Sequence, residues 1–174
     1  MADRARVLAV GGTLLGLIII GLVVGFILLG DDNTTPNAGN SSPSPTPTDV
    51  RAQVEQAYLR YWDVYADALL RLDPSGLDQV LTGDALENHL MQVNEHKANN
   101  EPVRISVEHD YLITIADETS ASVDDNYVNH SVRLDPETME PTEEDPNRRI
   151  RRTYTMKKVD GTWKVTLVVG FRDS

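Results

Sequence analysis

The chain begins with an apolar run that is long enough to cross a membrane. From Val7 to Gly30, 24 consecutive residues carry no charge. A helix of that length spans roughly 36 Å, against a hydrocarbon core of about 30 Å. A cleaved signal peptide is the alternative, but its apolar region is usually about 7–15 residues long. Residues 27–30 also make a poor cleavage site, so we predict an uncleaved transmembrane helix.

Apolar residues recur every three or four positions after residue 49, which predicts a long amphipathic helix. Thr48 or Asp49 would cap this helix, and residues 73–76 would stop it. A short helical turn is expected at 77–81. A second helix is expected from Thr82 to about Ala98, ended by residues 99–102. The apolar face of the first helix consists of Val50, Val54, Ala57, Tyr58, Tyr61, Trp62, Tyr65, Leu69 and Leu72.

The period then changes to two, which indicates strands. Residues 103–115 predict one long half-buried strand. In the second strand the apolar positions change parity near Asp124 and Asp125, which predicts a β-bulge there. Residues 148–159 and 162–171 predict a hairpin closed by Asp160-Gly161. The expected fold class is α+β: an N-terminal transmembrane helix, then helices packed on a curved four-stranded antiparallel sheet that forms a cone.

Charge and composition divide the chain into four segments. Positive residues stay cytoplasmic, so Arg4 and Arg6 before the apolar run place the N-terminus inside and the C-terminal domain outside a plasma membrane. Residues 31–48 contain four prolines among Ser, Thr, Asn and Gly, which predicts a disordered stalk. We therefore expect a cytoplasmic tail at 1–6, a single-pass helix at 7–30, a stalk at 31–48 and a soluble domain at 49–174. The short anchor favours a bacterial envelope.

The charge balance and the glycine pattern restrict the partners. The soluble domain carries 14 Lys/Arg against 24 Asp/Glu, which disfavours nucleic acid as a partner. The absence of cysteine excludes thiolate metal sites and a cysteine nucleophile. Membrane lipid would contact residues 7–30. Helix–helix association is possible through either Gly12/Gly16 or Gly21/Gly25, but these pairs lie about 180° apart on the helix and cannot share one interface.

Two short motifs and the order of elements resemble a known superfamily. The motifs are Leu81-Thr82-Gly83-Asp84-Ala85-Leu86 and Asp160-Gly161-Thr162-Trp163-Lys164-Val165. Together they resemble the nuclear-transport-factor-like (cystatin-like cone) superfamily, and within it the membrane-anchored, division-protein-type intermembrane-space domains. The resemblance covers about residues 50 to 172 and implies a cone-shaped domain. Because the superfamily includes enzymes, ligand-binding proteins and interaction domains, it does not select a function.

Four residues are candidates for the lining of a cone cavity: Tyr58, Trp62, Tyr65 and His109. Packing of the aromatic face against the sheet is the alternative. A buried histidine such as His109 serves as a general base when a carboxylate orients it, and the sequence assigns no such partner. His89 and His96 are seven positions apart, whereas helical metal ligands are usually about three or four apart. We therefore assign no catalytic residue, no cofactor and no metal.

A basic strand follows an acidic loop at 135–145. Its residues Arg148, Arg149, Arg151 and Arg152 are candidates for a surface that docks a protein partner outside the membrane, because clustered charge steers association. The alternative is a solvated loop that neutralises the adjacent strands.

The predicted function is a membrane-anchored, extracytoplasmic module that binds a protein or a small ligand without catalytic activity. Two alternatives stay open. The first is a small enzyme of the polyketide-cyclase or dehydratase kind, which needs an open cavity and a partner for His109. The second is an accessory structural subunit of a membrane complex.

Overall fold

Two helices lie against one face of an antiparallel sheet in the computed structural model, which describes residues 47–170. Helix α1 is Pro47–Arg71 and helix α2 is Gly83–Asn99, with a short 3-10 turn at Leu77–Gln79 between them. These elements agree with the three predicted helical segments, although α1 begins two residues inside the predicted stalk. No helix between residues 47 and 170 has the length and apolar character needed to cross a membrane. The predicted span at 7–30 and its glycine pairs lie outside the described residues.

Both long helices end in the same way, at the stop signals that the sequence contains. Leu72 adopts a left-handed conformation with φ 55°, and the N–H of Asp73 donates to the carbonyl of Ala68 at 3.0 Å. Asn100 likewise has φ 55°, and the N–H of Glu101 donates to the carbonyl of His96 at 3.0 Å. A left-handed residue followed by this long backward bond satisfies carbonyls that the end of a helix leaves open.

The prediction of a four-stranded sheet is wrong, because the structure contains more strands. Five strands form the main sheet and two form a small separate sheet. The predicted strand at 103–115 is interrupted twice, and a further short strand follows the long one that pairs with it. The strands are β1 (Val103–Arg104), β2 (Val107–Glu108), β3 (Tyr111–Ile115), β4 (Ser120–Asn129), β5 (Val132–Arg133), β6 (Arg148–Val159) and β7 (Thr162–Gly170). In the main sheet β2 and β3 both pair with β4, followed by β6 and β7.

The β-bulge predicted at Asp124 and Asp125 is also wrong. Strand β4 pairs with β3 on one side and β6 on the other without a shift in register. Asp125 occupies an inward position in a strand of unbroken register. Leu134 lies beyond this strand, is buried outside the main core and bridges to Pro141. The register shifts instead between β6 and β7, next to Thr155, where an extra residue bends the sheet.

The core lies between α1 and the inner face of the sheet. Ile113, Val123 and Tyr154 stand side by side on three neighbouring strands, and each is at most 3% exposed. Tyr58 and Val54 of α1 are fully buried against this layer. The apolar face predicted for the first helix is thereby confirmed from Val50 to Leu69, whereas Leu72 lies beyond the last residue of α1 and outside the core. The predicted hairpin is confirmed as well, since Asp160 and Gly161 have φ 49° and 79° as a type I′ turn requires.

Side-chain hydrogen bonds also join the first half of α1 to the edge of the sheet. The Nη2 of Arg51 donates to the carbonyl of Ile113 at 2.8 Å. The hydroxyl of Tyr111 donates to Oε1 of Glu55 at 2.7 Å. One turn later, the hydroxyl of Tyr58 donates to Oδ2 of Asp125 on β4 at 2.6 Å. Helix α1 is therefore fixed to the sheet edge along its first three turns.

Candidate functional site

A cavity of about 550 Å³ lies between the two helices and the inner face of the sheet. This volume is in the range of about 300–1,000 Å³ that is usual for small-ligand sites. Aromatic rings from both layers form much of its wall. They are Tyr61, Trp62 and Tyr65 of α1, Tyr127 of β4 and Tyr154 of β6.

The rings of this wall hold one another in place. Tyr61 and Tyr65 are stacked with their ring centroids 6.0 Å apart and an interplanar angle of 7°. Trp62 meets Tyr127 edge to face at 5.4 Å. Offset-stacked and edge-to-face pairs are the favourable arrangements of aromatic side chains. The wall is therefore a preformed apolar surface with hydroxyl groups at fixed positions.

The tyrosine hydroxyls of the wall are hydrogen-bond donors at neutral pH. Burial raises the pKa of Tyr61, Tyr127 and Tyr154, and it raises the pKa of Tyr65 to about 12. Desolvation disfavours the phenolate form, so these groups stay protonated. They do not act as bases or nucleophiles, and the hydroxyls of Tyr61 and Tyr65 already donate to Nε2 of His89 and Oε1 of Gln92.

His89 of α2, which the sequence suggested at most as a metal ligand, lines the cavity. Its Nδ1–H donates to the carbonyl of Ala85, one turn earlier, at 2.7 Å. Its Nε2 accepts from the hydroxyl of Tyr61 at 2.9 Å. Burial lowers the pKa of His89, and the residue is 7% exposed. The imidazole is therefore neutral at pH 7, and both of its nitrogens are engaged.

Arg152 of β6 lies in the cavity wall, away from the other arginines of the predicted docking surface. Even-numbered residues of β6 face the helices, which places Arg152 beside Tyr154 on the inner face. Its Nε–H is buried and has no hydrogen-bond partner among the described residues. Arg149 and Arg151 are exposed on the opposite face of the strand, and Arg148 is exposed at its start.

Asp125 lies directly opposite Arg152 in the register, yet its carboxylate is occupied by other groups. Its Oδ2 accepts from the hydroxyl of Tyr58 at 2.6 Å and from Nδ1–H of His109 at 2.6 Å. Its Oδ1 accepts from the backbone N–H of Asp110 at 3.1 Å. Asp125 is fully buried, so these three donors replace the water it has lost.

His109 has the carboxylate partner that the sequence could not assign, but it does not line the cavity. It packs behind Trp62, with the two ring centroids 5.0 Å apart. Tyr58 is likewise outside the wall, whereas Trp62 and Tyr65 line it as expected. A histidine oriented by aspartate has the arrangement of a general base, but a base must reach the proton that it removes.

The sequence did not predict that Arg152 and His89 line the cavity or that Asp125 is buried. Asp125 shares the odd parity of the buried residues Val123 and Tyr127, which was the available signal for an inward position. Among residues 47–170, no group of three or more His, Asp or Glu side chains is placed to hold a metal ion.

The chain is similar to known proteins in structure, whereas no family profile and no curated protein sequence matches it. It resembles the intermembrane-space region of the chloroplast protein ARC6 over 72% of this chain and 98% of that one, with a TM-score of 0.58 and 19% identity. It resembles the protein Aln2 from a Streptomyces species over 74% of this chain and 93% of that one, with a TM-score of 0.50 and 14% identity. A domain of unknown function with a cystatin-like fold from Nostoc punctiforme aligns over 70% and 78%, with a TM-score of 0.48 and 15% identity.

The observed arrangement of two helices packed on an antiparallel sheet agrees with the α+β fold class expected from the sequence. At these identities the likeness concerns the fold alone, because one fold serves many activities.

Proposed function

We propose that this chain is a membrane-anchored, extracytoplasmic module that binds a small ligand in the cone cavity without catalysing a reaction. The observation that carries the proposal is the cavity of about 550 Å³, walled by rigid aromatic rings and by hydrogen-bond donors. The anchor and the outer location rest on the apolar run at 7–30 and on the arginines that precede it.

The polar groups of the cavity support binding rather than catalysis. Proton transfer needs a group that can change its charge next to the substrate. His89 would have to give up its bond from Tyr61 to accept a proton, and burial lowers its pKa. The tyrosine hydroxyls stay protonated. The His109–Asp125 pair is separated from the cavity by the ring of Trp62.

The rings favour a flat and largely apolar occupant. Stacked and edge-on aromatic side chains offer planar faces, and a planar ligand covers them with little loss of conformational freedom. A suitable probe is 2-naphthamide, which is flat and uncharged.

The test is calorimetric titration of the full chain, held in nanodiscs of phosphatidylcholine, with 2-naphthamide. We expect saturable binding that empty nanodiscs do not show. Ile105→Phe adds a ring inside the cavity wall and should weaken binding at least about tenfold. Leu112→Phe makes the same kind of change at a position that is 63% exposed and should have no effect. Equal binding by both variants would contradict the proposal.

A small enzyme of the polyketide-cyclase or dehydratase kind is the second candidate, and the 2.6 Å bond between His109 and Asp125 favours it. This function requires His109 to be reached from the cavity. Labelling of His109 by diethyl pyrocarbonate distinguishes the two functions. Under our proposal, saturating 2-naphthamide leaves the labelling rate unchanged, whereas protection of His109 would support the enzyme.

Docking of a protein partner at Arg148, Arg149 and Arg151 stays a prediction from the sequence. The same holds for a role as a structural subunit that associates through the glycine pairs.

A further inference from the structure

Arg152 has a hydrogen-bond donor in the cavity wall that the protein leaves unpaired. Its side chain is half-buried and lines the cavity, and its Nε–H is buried without a hydrogen bond among the described residues. The guanidinium interacts with the hydroxyl of Tyr127, but that hydroxyl is uncharged and does not balance the positive charge. Buried polar groups are normally hydrogen-bonded, which makes this N–H an exception. Among residues 49–170, Arg152 does not form an ion pair with an Asp or Glu side chain.

The nearest carboxylate in the register cannot supply the missing counterion. Asp125 stands opposite Arg152 on the neighbouring strand, but its oxygens already accept from Tyr58, His109 and the N–H of Asp110. These donors lie on α1 and on the segment between β2 and β3. The carboxylate is therefore engaged by groups that do not line the cavity, although it lies on the same face of the sheet as Arg152.

The other polar groups of the cavity do not neutralise Arg152 either. His89 is neutral, and the tyrosine hydroxyls stay protonated because burial raises their pKa. Two acidic residues line the cavity. Glu143 is bonded to Arg133 at 2.8 Å, and Glu95 is exposed on α2. Of the two arginines in the lining, Arg133 is paired with Glu143, which leaves Arg152 as the cation without a carboxylate partner among the described residues.

We propose that the ligand of this cavity is a planar organic carboxylate whose charged group is held by Arg152. This inference rests on the proposed function and names the class of ligand for the same cavity. A guanidinium presents its N–H groups as a planar fork that matches a carboxylate with two parallel hydrogen bonds. The carboxylate of the ligand forms the ion pair that Arg152 lacks in the protein. The planar apolar part of the ligand packs against the aromatic wall.

The experiment compares 2-naphthoate with 2-naphthamide, which differ in the charged group and share the ring system. Both are titrated calorimetrically into the full chain in phosphatidylcholine nanodiscs, whose zwitterionic surface does not repel the anion. We expect 2-naphthoate to bind at least about tenfold more tightly than 2-naphthamide. Arg152→Gln should abolish that preference and change the affinity for 2-naphthamide by less than about twofold.

Two further variants control for fold and for long-range charge. Arg149→Gln removes the same charge from the outer face of the same strand, and it should keep the full preference for 2-naphthoate. Arg152→Lys keeps the charge but loses the planar fork, so an intermediate preference is expected. If Arg152→Gln does not fold, the comparison of Arg152→Lys with wild type decides the question.

The possible failures can be told apart. Equal affinities of wild type for the two probes, or an unchanged preference in Arg152→Gln, would overturn the carboxylate inference and leave the cavity as a site for neutral ligands. If neither probe binds, both the inference and the proposed function fail.

Discussion

Asp125 and Arg152 are paired across strands β4 and β6, but they differ in how many of their polar groups have hydrogen-bond partners. The carboxylate of Asp125 accepts three hydrogen bonds in a closed, fully buried network. The guanidinium of Arg152 borders an open cavity and has a buried N–H without a partner among the described residues. A buried polar group with all its partners stabilises one arrangement of the chain, whereas one without partners is available to a ligand. Trp62 separates the two regions and contacts both His109 and Tyr127.

Replacing Asp125 should have the largest effect on stability. Asp125→Ala leaves the hydroxyl of Tyr58, the imidazole of His109 and the N–H of Asp110 without their acceptor. We expect the free energy of unfolding to fall by about 3 kcal/mol or more, as urea denaturation followed by circular dichroism would show. Arg152→Gln should change it by less than about 1 kcal/mol, because Arg152 is only half-buried and its loss leaves no carboxylate without a counterion. Similar losses in both variants would remove the distinction between the two regions.

Removing one donor from the closed network should have an intermediate effect. Tyr58→Phe deletes a buried bond to a carboxylate and should cost about 1.5–3 kcal/mol of unfolding free energy. Tyr65→Phe is the matched control on the cavity side. Its hydroxyl donates to the exposed Gln92 at 2.9 Å, so its loss should cost less than about 1 kcal/mol. The same urea denaturation measures both, and the reverse order would contradict the assignment of the network.

The smallest expected effect at neutral pH concerns His89. Burial lowers its pKa below the ordinary value of 6.5, so on acidification the unfolded chain binds the proton first. The free energy of unfolding should therefore fall as the pH drops below 6.5, down to the lowered pKa of the folded state. His89→Gln should lack this part of the pH dependence, whereas His96→Gln on the same helix should retain it. Urea denaturation at pH values above and below 6.5 tests this, and an unchanged profile in His89→Gln would contradict it.

The parts of the fold that the sequence predicted correctly are those determined by local signals. Helices α1 and α2 end where Leu72 and Asn100 adopt a left-handed conformation. The hairpin follows from Asp160 and Gly161, which both take the positive φ that its turn requires. The interruptions of the strand at 103–115 and the additional short strand β5 depend on pairing with a distant segment. Local periodicity contains no information about that pairing.

The candidate site was predicted only in part, for a related reason. Trp62 and Tyr65 were found because an amphipathic helix reveals its buried face. A bulge was predicted near Asp124 and Asp125 because the apolar positions change parity there. The partners that allow Asp125 to be buried, Tyr58 and His109, are 67 and 16 positions away, and local periodicity does not reveal them. Arg152 was grouped with its exposed neighbours by charge, although strand parity separates them.

The bonds that fix the first three turns of α1 to the sheet edge have a mechanical consequence. Pro47, the first residue of α1, is where the domain continues into the preceding chain. A pulling force from that side enters along the helix axis and shears the contacts of Arg51, Glu55 and Tyr58 with the sheet before it reaches Trp62. The contacts of Arg51, Glu55 and Tyr58 with the sheet therefore shield the cavity wall from a force applied at the start of α1.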